Sequence, residues 1–447
     1  MKKNNRSSKF PIFKSDVKFL RNLSIFAFVI KILIVVQISK LNQWTNQGHM
    51  WLGADGENYL LGASYLSDEG LFSKRDILNY WPAGYPILIY FFGIFGKAQS
   101  LTSLGIFQSL VFSFSVFSFT KEIAITGFKK LSRVLCLLLL INPTLSLNSL
   151  SVGYESLAAS GYLMILALVL YLYRVQNQRK RILIYQVIAA TLSFISFLQP
   201  RFIPSGILIG LILIMARKEL IKSFAILLIF MMILFSLPAS LVLRNHISTG
   251  VNVVSLNLGV TMNIGAGEEA SGSYRSSWKG VPCKYNESNR VEADSAQTKC
   301  VLRWYTNNPG QALRLFWNKT KFFWSPWIGP TSTGTMARNP WNLINPLNEI
   351  AKNPDGFNLI YGKFGILVSW SWALASVLLM LLGLQKLFFL RAQFTRLSVV
   401  CTAIVFPSWL ISLITLGDNR FRLPILGVVI FLELLGLFSV FTKKALK

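Results

Sequence analysis

Apolar runs of roughly 17–25 residues recur along this chain, the length a helix needs to cross the hydrocarbon core of a bilayer. They fall near 22–39, 101–120, 134–150, 155–173, 182–198, 202–216, 221–243, 364–384, 397–416 and 423–441. A chain of 447 residues could hold two or three soluble domains, but 53% of its residues are hydrophobic, only 14% are charged, and the mean hydropathy is +0.50. The expected fold class is therefore an all-α polytopic membrane protein, with about ten transmembrane helices and short helices lying in the outer interface.

The formal charge of +27 would suit a nucleic-acid binder if it were gathered on one face. The basic residues instead sit in short clusters between apolar runs, the pattern of topology determinants. A lipid bilayer is the expected partner, and no nucleic acid is. Residues 1–21, with Lys2, Lys3, Arg6, Lys9, Lys14, Lys18 and Arg21, are assigned to the cytoplasm. Clusters at 121–133, 174–181, 217–222, 386–396 and 443–447 mark the later inner turns. The first run is interrupted by Lys31 and lacks a small-x-small cleavage site, so it reads as a retained anchor. The expected organisation is an N-terminal transmembrane module at 22–243 with an outer loop at 40–84. An extracytoplasmic loop domain at 244–363 and a C-terminal module at 364–447 follow, in an inner (plasma) membrane with both termini cytoplasmic.

Charge and length alone dictate this topology, yet it collects the unusual polar residues on the outer side. Asp55, Glu57, Glu155, Arg201, Asp418, Arg420 and the long loop all fall there. Two stretches read as interfacial helices. One is 85–95. The other is 309–324, where Leu313, Phe316, Trp317, Thr320 and Phe323 fall at helical spacing with Arg314, Lys319 and Lys321 off the stripe. The latter could equally cover the loop's own core. Cys283 and Cys300 share the outer loop, which points to a disulfide in an oxidising compartment, with two free thiols as the alternative. Lys31 and Glu433 lie at matching depth in the first and last spans, so a structural ion pair between them is expected.

The residues able to do chemistry are few. His49 and His246 are the only histidines, and no Ser-His-Asp set, HExxH, P-loop or GxGxxG is present. Asp55 and Glu57 flank Gly56, which permits a tight loop backbone, although an Asp-Gly pair is often only a turn. Glu155 opens a span, where its charge suits a helix N-terminus. Arg201 sits in a very short turn, and Arg420 and Arg422 in Gly417-Asp-Asn-Arg-Phe-Arg-Leu-Pro424. Their forked donors suit phosphate, though a lone Arg near a membrane face also snorkels to headgroups.

With these pieces in place the chain resembles the GT-C type membrane glycosyltransferases, in the bacterial branch related to protein O-mannosyltransferases and the aminoarabinose transferase of lipid A. The resemblance runs over most of the chain. It rests on Asp55…Tyr59…Gly70-Leu-Phe72 with Tyr80-Trp-Pro-Ala-Gly-Tyr-Pro86, on Arg244-Asn245 leading to Asn257-Leu-Gly259 and Asn263-Ile-Gly265, and on the segment Gly417–Pro424. It implies a polyprenyl-phosphate sugar donor and a glycan, lipid or protein acceptor. Transfer would be one inverting displacement with Asp55 as general base, Glu155 as second acid and Glu57 as a further candidate. It implies that Arg201, Arg420 and Arg422 hold the donor phosphate, although Pro200 precedes Arg201 where the family pattern is Arg-Pro. Tyr59, Trp81, Tyr85, Asn257 and Asn263 would line the substrates, and a divalent cation could bridge Asp55 or Glu155 to phosphate. Rival readings are a flippase or transporter of lipid-linked sugars, and a polymerase or ligase of lipid-linked glycans.

Overall fold

The computed structural model describes residues 14–40, 51–52, 55–93, 100–215, 220–274, 280–283, 289–326, 350–390 and 392–441. The basic segment before residue 14, the turn at 217–218 and the lysines after 441 lie outside the described residues. In chain order the elements begin with α1 (Lys14–Lys40), β1 (Trp51–Leu52), α2 (Gly56–Glu69), α3 (Ile77–Tyr80), α4 (Gly84–Phe92), α5 (Ser100–Ile125), α6 (Lys129–Ile141) and α7 (Pro143–Ser146). They continue with β2 (Ser151–Val152), α8 (Glu155–Leu172), α9 (Gln178–Leu198), α10 (Ile203–Met215), α11 (Leu220–Thr249), α12 (Leu258–Ile264), α13 (Arg290–Asn307) and α14 (Pro309–Phe323). The last are α15 (Pro354–Tyr361), α16 (Lys363–Leu390), α17 (Ala392–Ile414) and α18 (Leu423–Phe441).

The chain is an all-α multi-pass membrane protein, as its apolar runs require: in hydrocarbon, a helix satisfies its backbone donors and acceptors within itself. All ten predicted runs are helical. Among the described residues, 8 helices are long and apolar enough to cross singly, and α6 with the segment 143–150 makes a ninth candidate bent by 62°. The bend falls where Asn142 precedes Pro143, as the missing amide of proline favours. The tenth run is α10, a shorter apolar helix.

Burial orders the bundle. In α8, 83% of the hydropathic window is buried, against 22% in α1, so α8 is central and α1 peripheral. α8 packs against α5, α9 and α18, and α16 packs along α18. The α16–α18 pair is close because Gly383 and Gly436 face the opposite backbone: an added Cβ would fall 1.9 Å from Leu432 O and 2.1 Å from Leu379 O. Small residues at such crossings replace the hydrophobic drive that lipid cannot supply.

The Lys31–Glu433 ion pair is not formed. α1 packs on α5 and α6, whereas α18 packs on α16 and α8. Lys31 lies 4.1 Å from the centre of the Phe112 ring, and Glu433 accepts from Ser376 of α16. Matching depth was a sound reading, but it says nothing of which helices are neighbours.

α11 has 30 residues, about 45 Å at 1.5 Å per residue, so it outruns the hydrocarbon core. Its last turns carry Arg244 and Thr249, which hold the segment 71–79. Arg244 donates to the carbonyls of Leu71, Ser73 and Leu78 and to Asn79 Oδ1. Asn79 Nδ2 in turn donates to Thr249 Oγ1 at 3.0 Å. Beyond α11, α12 packs on α13, and Cys283 and Cys300 are joined by a disulfide.

Candidate active site

Two short strands set the site. β1 and β2 pair in parallel, with Trp51 opposite Ser151 and Leu52 opposite Val152. Asp55 follows β1 at the same remove as Glu155 follows β2, so a register of two residue pairs brings together carboxylates a hundred residues apart. β2 is itself braced: Gln108 Nε2 donates to the carbonyls of Ser149 and Ser151, both at 3.1 Å, and Tyr85 donates to Gln108 Oε1 at 3.0 Å. Tyr85, expected to line a substrate, is thus fully buried and supports the backbone instead.

Arg420 stands between the carboxylates. It lies in the 3-10 turn Asn419–Arg422 ahead of α18, where Asp418 Oδ1 accepts from the Arg420 amide at 2.8 Å. Its Nη2 is 2.6 Å from Asp55 Oδ2 and its Nε is 2.7 Å from Glu155 Oε1. Such charge-assisted bonds are short and strong. The side chains differ in access: 19% of Asp55 is exposed, against 9% of Arg420 and 6% of Glu155. Asp55 is the more accessible of the two acids, and Glu155 is buried against Arg420. Gly153 makes room for Glu155, since a Cβ there would fall 2.4 Å from its Oε2.

Tyr59 packs its ring 5.2 Å from Tyr85 and 6.5 Å from both Trp81 and Tyr154. Burial, and then the Asp55 charge, hold its hydroxyl well above the ordinary tyrosine range, so it stays a neutral hydroxyl. Arg201 lies over three rings, 4.3 Å from the centre of Phe421, 5.2 Å from Phe202 and 5.3 Å from Tyr154. Its Nη2 is buried without a hydrogen-bond partner among the described residues, a donor free to meet an acceptor. Arg422 turns away from the carboxylates, giving Nη2 to Ser325 O at 2.8 Å and lying over the Trp324 ring.

The other expected residues lie apart from this centre. Glu57 is exposed on the first turn of α2. Asn257 accepts from Ser255 near the start of α12. Asn263 is fully buried and bonded to the backbone of Cys283 in both directions. Trp81 borders a cavity of about 1040 Å³ between α3 and α13.

Two residues assigned no role from sequence prove central to the architecture. Arg244 is the staple of the first loop. Lys319, read as lying off an apolar stripe, is fully buried, while the stripe residues Leu313 and Trp317 are 70% and 65% exposed. The Lys319 Nζ donates to Tyr305 Oη, Leu413 O and Thr415 O, fixing the end of α17 just ahead of the Arg420 turn. Burial brings its pKa down to about 7. No single-sequence signal marked it: its partners arrive from far along the chain.

A divalent cation bridging either carboxylate to phosphate would share that carboxylate with Arg420. Asp55 and Glu155 already share the Arg420 guanidinium, and among the described residues no three His, Cys, Asp or Glu side chains converge as a metal site.

No family model and no curated protein matches the chain. Among solved structures it is similar to the oligosaccharyltransferase AglB of Archaeoglobus fulgidus. The apo form aligns over 94% of this chain and 50% of that one, at 13% identity and a TM-score of 0.44. The complex with an inhibitory peptide and a dolichol-phosphate aligns over 95% and 51%, at the same identity and TM-score. This chain therefore spans about half the length of the archaeal protein, and a likeness of that degree carries no weight in the reading below.

Proposed function

We infer that this protein is a membrane glycosyltransferase, moving a sugar from a polyprenyl-phosphate donor to an acceptor at the outer face of the membrane. One observation carries the reading. Asp55, Glu155 and Arg420 come from three distant segments and form one bonded cluster at an end of the bundle, and Asn58, three residues after the more accessible carboxylate, borders an open cavity. Ionisable groups gathered from distant segments into one cluster are a mark of reactive sites.

The roles follow from access and charge. The acceptor O–H gives its proton to Asp55 at Oδ1, the oxygen that Arg420 does not hold, as general base catalysis requires. The acceptor oxygen bonds to the anomeric carbon as the bond from that carbon to the phosphate oxygen breaks, and the electron pair leaves with the polyprenyl phosphate. Arg201 supplies the guanidinium for the departing phosphate, its buried Nη2 having no hydrogen-bond partner among the described residues. Stabilising charge that develops on the leaving group is commonly the largest single contribution to such catalysis. Arg420 holds the two carboxylates together and keeps Asp55 aimed.

The test incubates purified wild type and Asp55→Asn with a panel of polyprenyl-phosphate sugars, with membrane extract supplied as acceptor. Mass spectrometry follows release of polyprenyl phosphate. Release from one donor by the wild type, reduced at least about a hundredfold in Asp55→Asn, is the expected result. Release from none, together with movement of intact donor across liposome membranes, would make the protein a transporter.

A further inference from the structure

The cavity between the first loop and α13 has a chemistry of its own. Its volume, about 1040 Å³, lies at the upper end of the range for small-molecule sites, enough for several linked sugar rings. One wall is Tyr80 and Trp81, whose rings meet edge to face with centres 5.3 Å apart. Asp294 on α13 and Asn58 of α2 also border the space. Both aromatic residues are partly exposed, presenting the flat apolar surface that the C–H face of a sugar ring covers. Asp294 accepts from the Gly259 amide at 2.7 Å and also from the Leu258 amide, in the first turn of α12, and its remaining acceptor sites are left for hydroxyls. Burial raises its pKa.

Charge limits what the cavity takes. Among the described residues that border it, Arg290 is the cation, and it is bound to Asp76 at 3.1 Å. Two carboxylates against one committed guanidinium disfavour a phosphorylated or carboxylated ligand. An extended peptide is usually caught by hydrogen bonds along a strand edge, whereas these walls come largely from helices α3, α12 and α13. Position links the space to the reacting centre. Trp81 touches Tyr59, and the Tyr80 hydroxyl is raised first by burial and then by the charges of Asp294 and Asp55.

We propose that this cavity binds the acceptor, and that the acceptor is a neutral carbohydrate seated on Tyr80 and Trp81 and hydrogen-bonded to Asp294. The assignment rests on the transferase reading for its place in the reaction, but binding can be measured without any donor. Saturation-transfer NMR on the full chain in detergent would screen neutral trisaccharides of mannose, glucose, galactose and N-acetylglucosamine, with a serine tripeptide and glucose 6-phosphate alongside. At least one trisaccharide binds, and its affinity falls about tenfold, 1.4 kcal/mol, in Trp81→Ala and in Asp294→Ala. The milder Trp81→Phe and Asp294→Asn, the latter keeping the oxygen that accepts from Gly259, cover the case in which the alanine variants misfold, and each weakens binding in the same direction. Binding of no trisaccharide, binding unchanged in the variants, or preference for the peptide or the phosphosugar overturns the proposal. Donor cleavage, measured in parallel, keeps the two readings apart. A protein that releases polyprenyl phosphate but binds no sugar has lost only this assignment, and one that binds sugar without cleaving any donor has lost the transferase reading.

Discussion

Arg201 and Arg420 carry the same side chain into one site, and their partners separate their roles. Arg420 is committed to two carboxylates, while Arg201 is cushioned on Tyr154, Phe202 and Phe421 with a buried donor unmatched among the described residues. Arg201→Gln should therefore lower kcat/KM for the donor about a hundredfold, and Arg201→Lys, which keeps charge without the planar fork, should recover only part of it. Steady-state kinetics with the donor identified above would show this; an unchanged kcat/KM would place the phosphate elsewhere. At this scale the sequence was readable in part. Asp55, Glu155, Arg201 and Arg420 stood out because charge beside a membrane is costly to keep. The bond between Asp55 and Glu155 through Arg420 was not legible, because it depends on a register between two-residue strands that no periodicity announces. Tyr85 and Asn263 looked like lining residues for want of their partners, Gln108 and Cys283.

α14 shows how an element can be located correctly and still be turned the wrong way. Its helical spacing was plain, but its buried face carries Ala312, Leu315, Lys319 and Phe323, and not the whole apolar stripe. The ammonium of Lys319 reaches carbonyls at the end of α17, where helix dipole and unpaired acceptors favour a cation. Burial nonetheless brings its pKa from 10.5 to about 7. Between those values the unfolded chain binds a proton that the folded one has lost, so this group's contribution to stability rises with pH across that window. Thermal midpoints in detergent should show wild type gaining on Lys319→Met from pH 7 to pH 10. A gap that stays constant would mean that Lys319 keeps its charge throughout. The apolar runs, by contrast, were legible in place and number, with ends displaced by up to eight residues, because length and hydropathy are all that a span must satisfy. Lys31 and Glu433 mark the limit of that reading: depth is written in one helix, whereas contact depends on two.

The whole molecule is a bundle whose acidic and basic site residues gather at one end, while ion pairs such as Arg174–Glu122 and Arg133–Asp16 form among the basic turns. Charge placement predicts that the site end faces outward. An impermeant thiol label applied to intact cells should reach Cys283 and Cys300 only after an impermeant reductant has opened their disulfide, with the buried thiols Cys136 and Cys401 replaced by alanine. Labelling that requires lysis would invert the topology and move the site to the cytoplasm. The central claim is narrower and lies in the chemistry: one accessible carboxylate, Asp55, takes the acceptor proton while the sugar passes in a single displacement. The anomeric configuration of the transferred sugar tests it most directly, read by NMR on product made from a donor of known configuration. The account predicts inversion at the anomeric carbon, and a product of retained configuration would require a glycosyl-enzyme intermediate and contradict it.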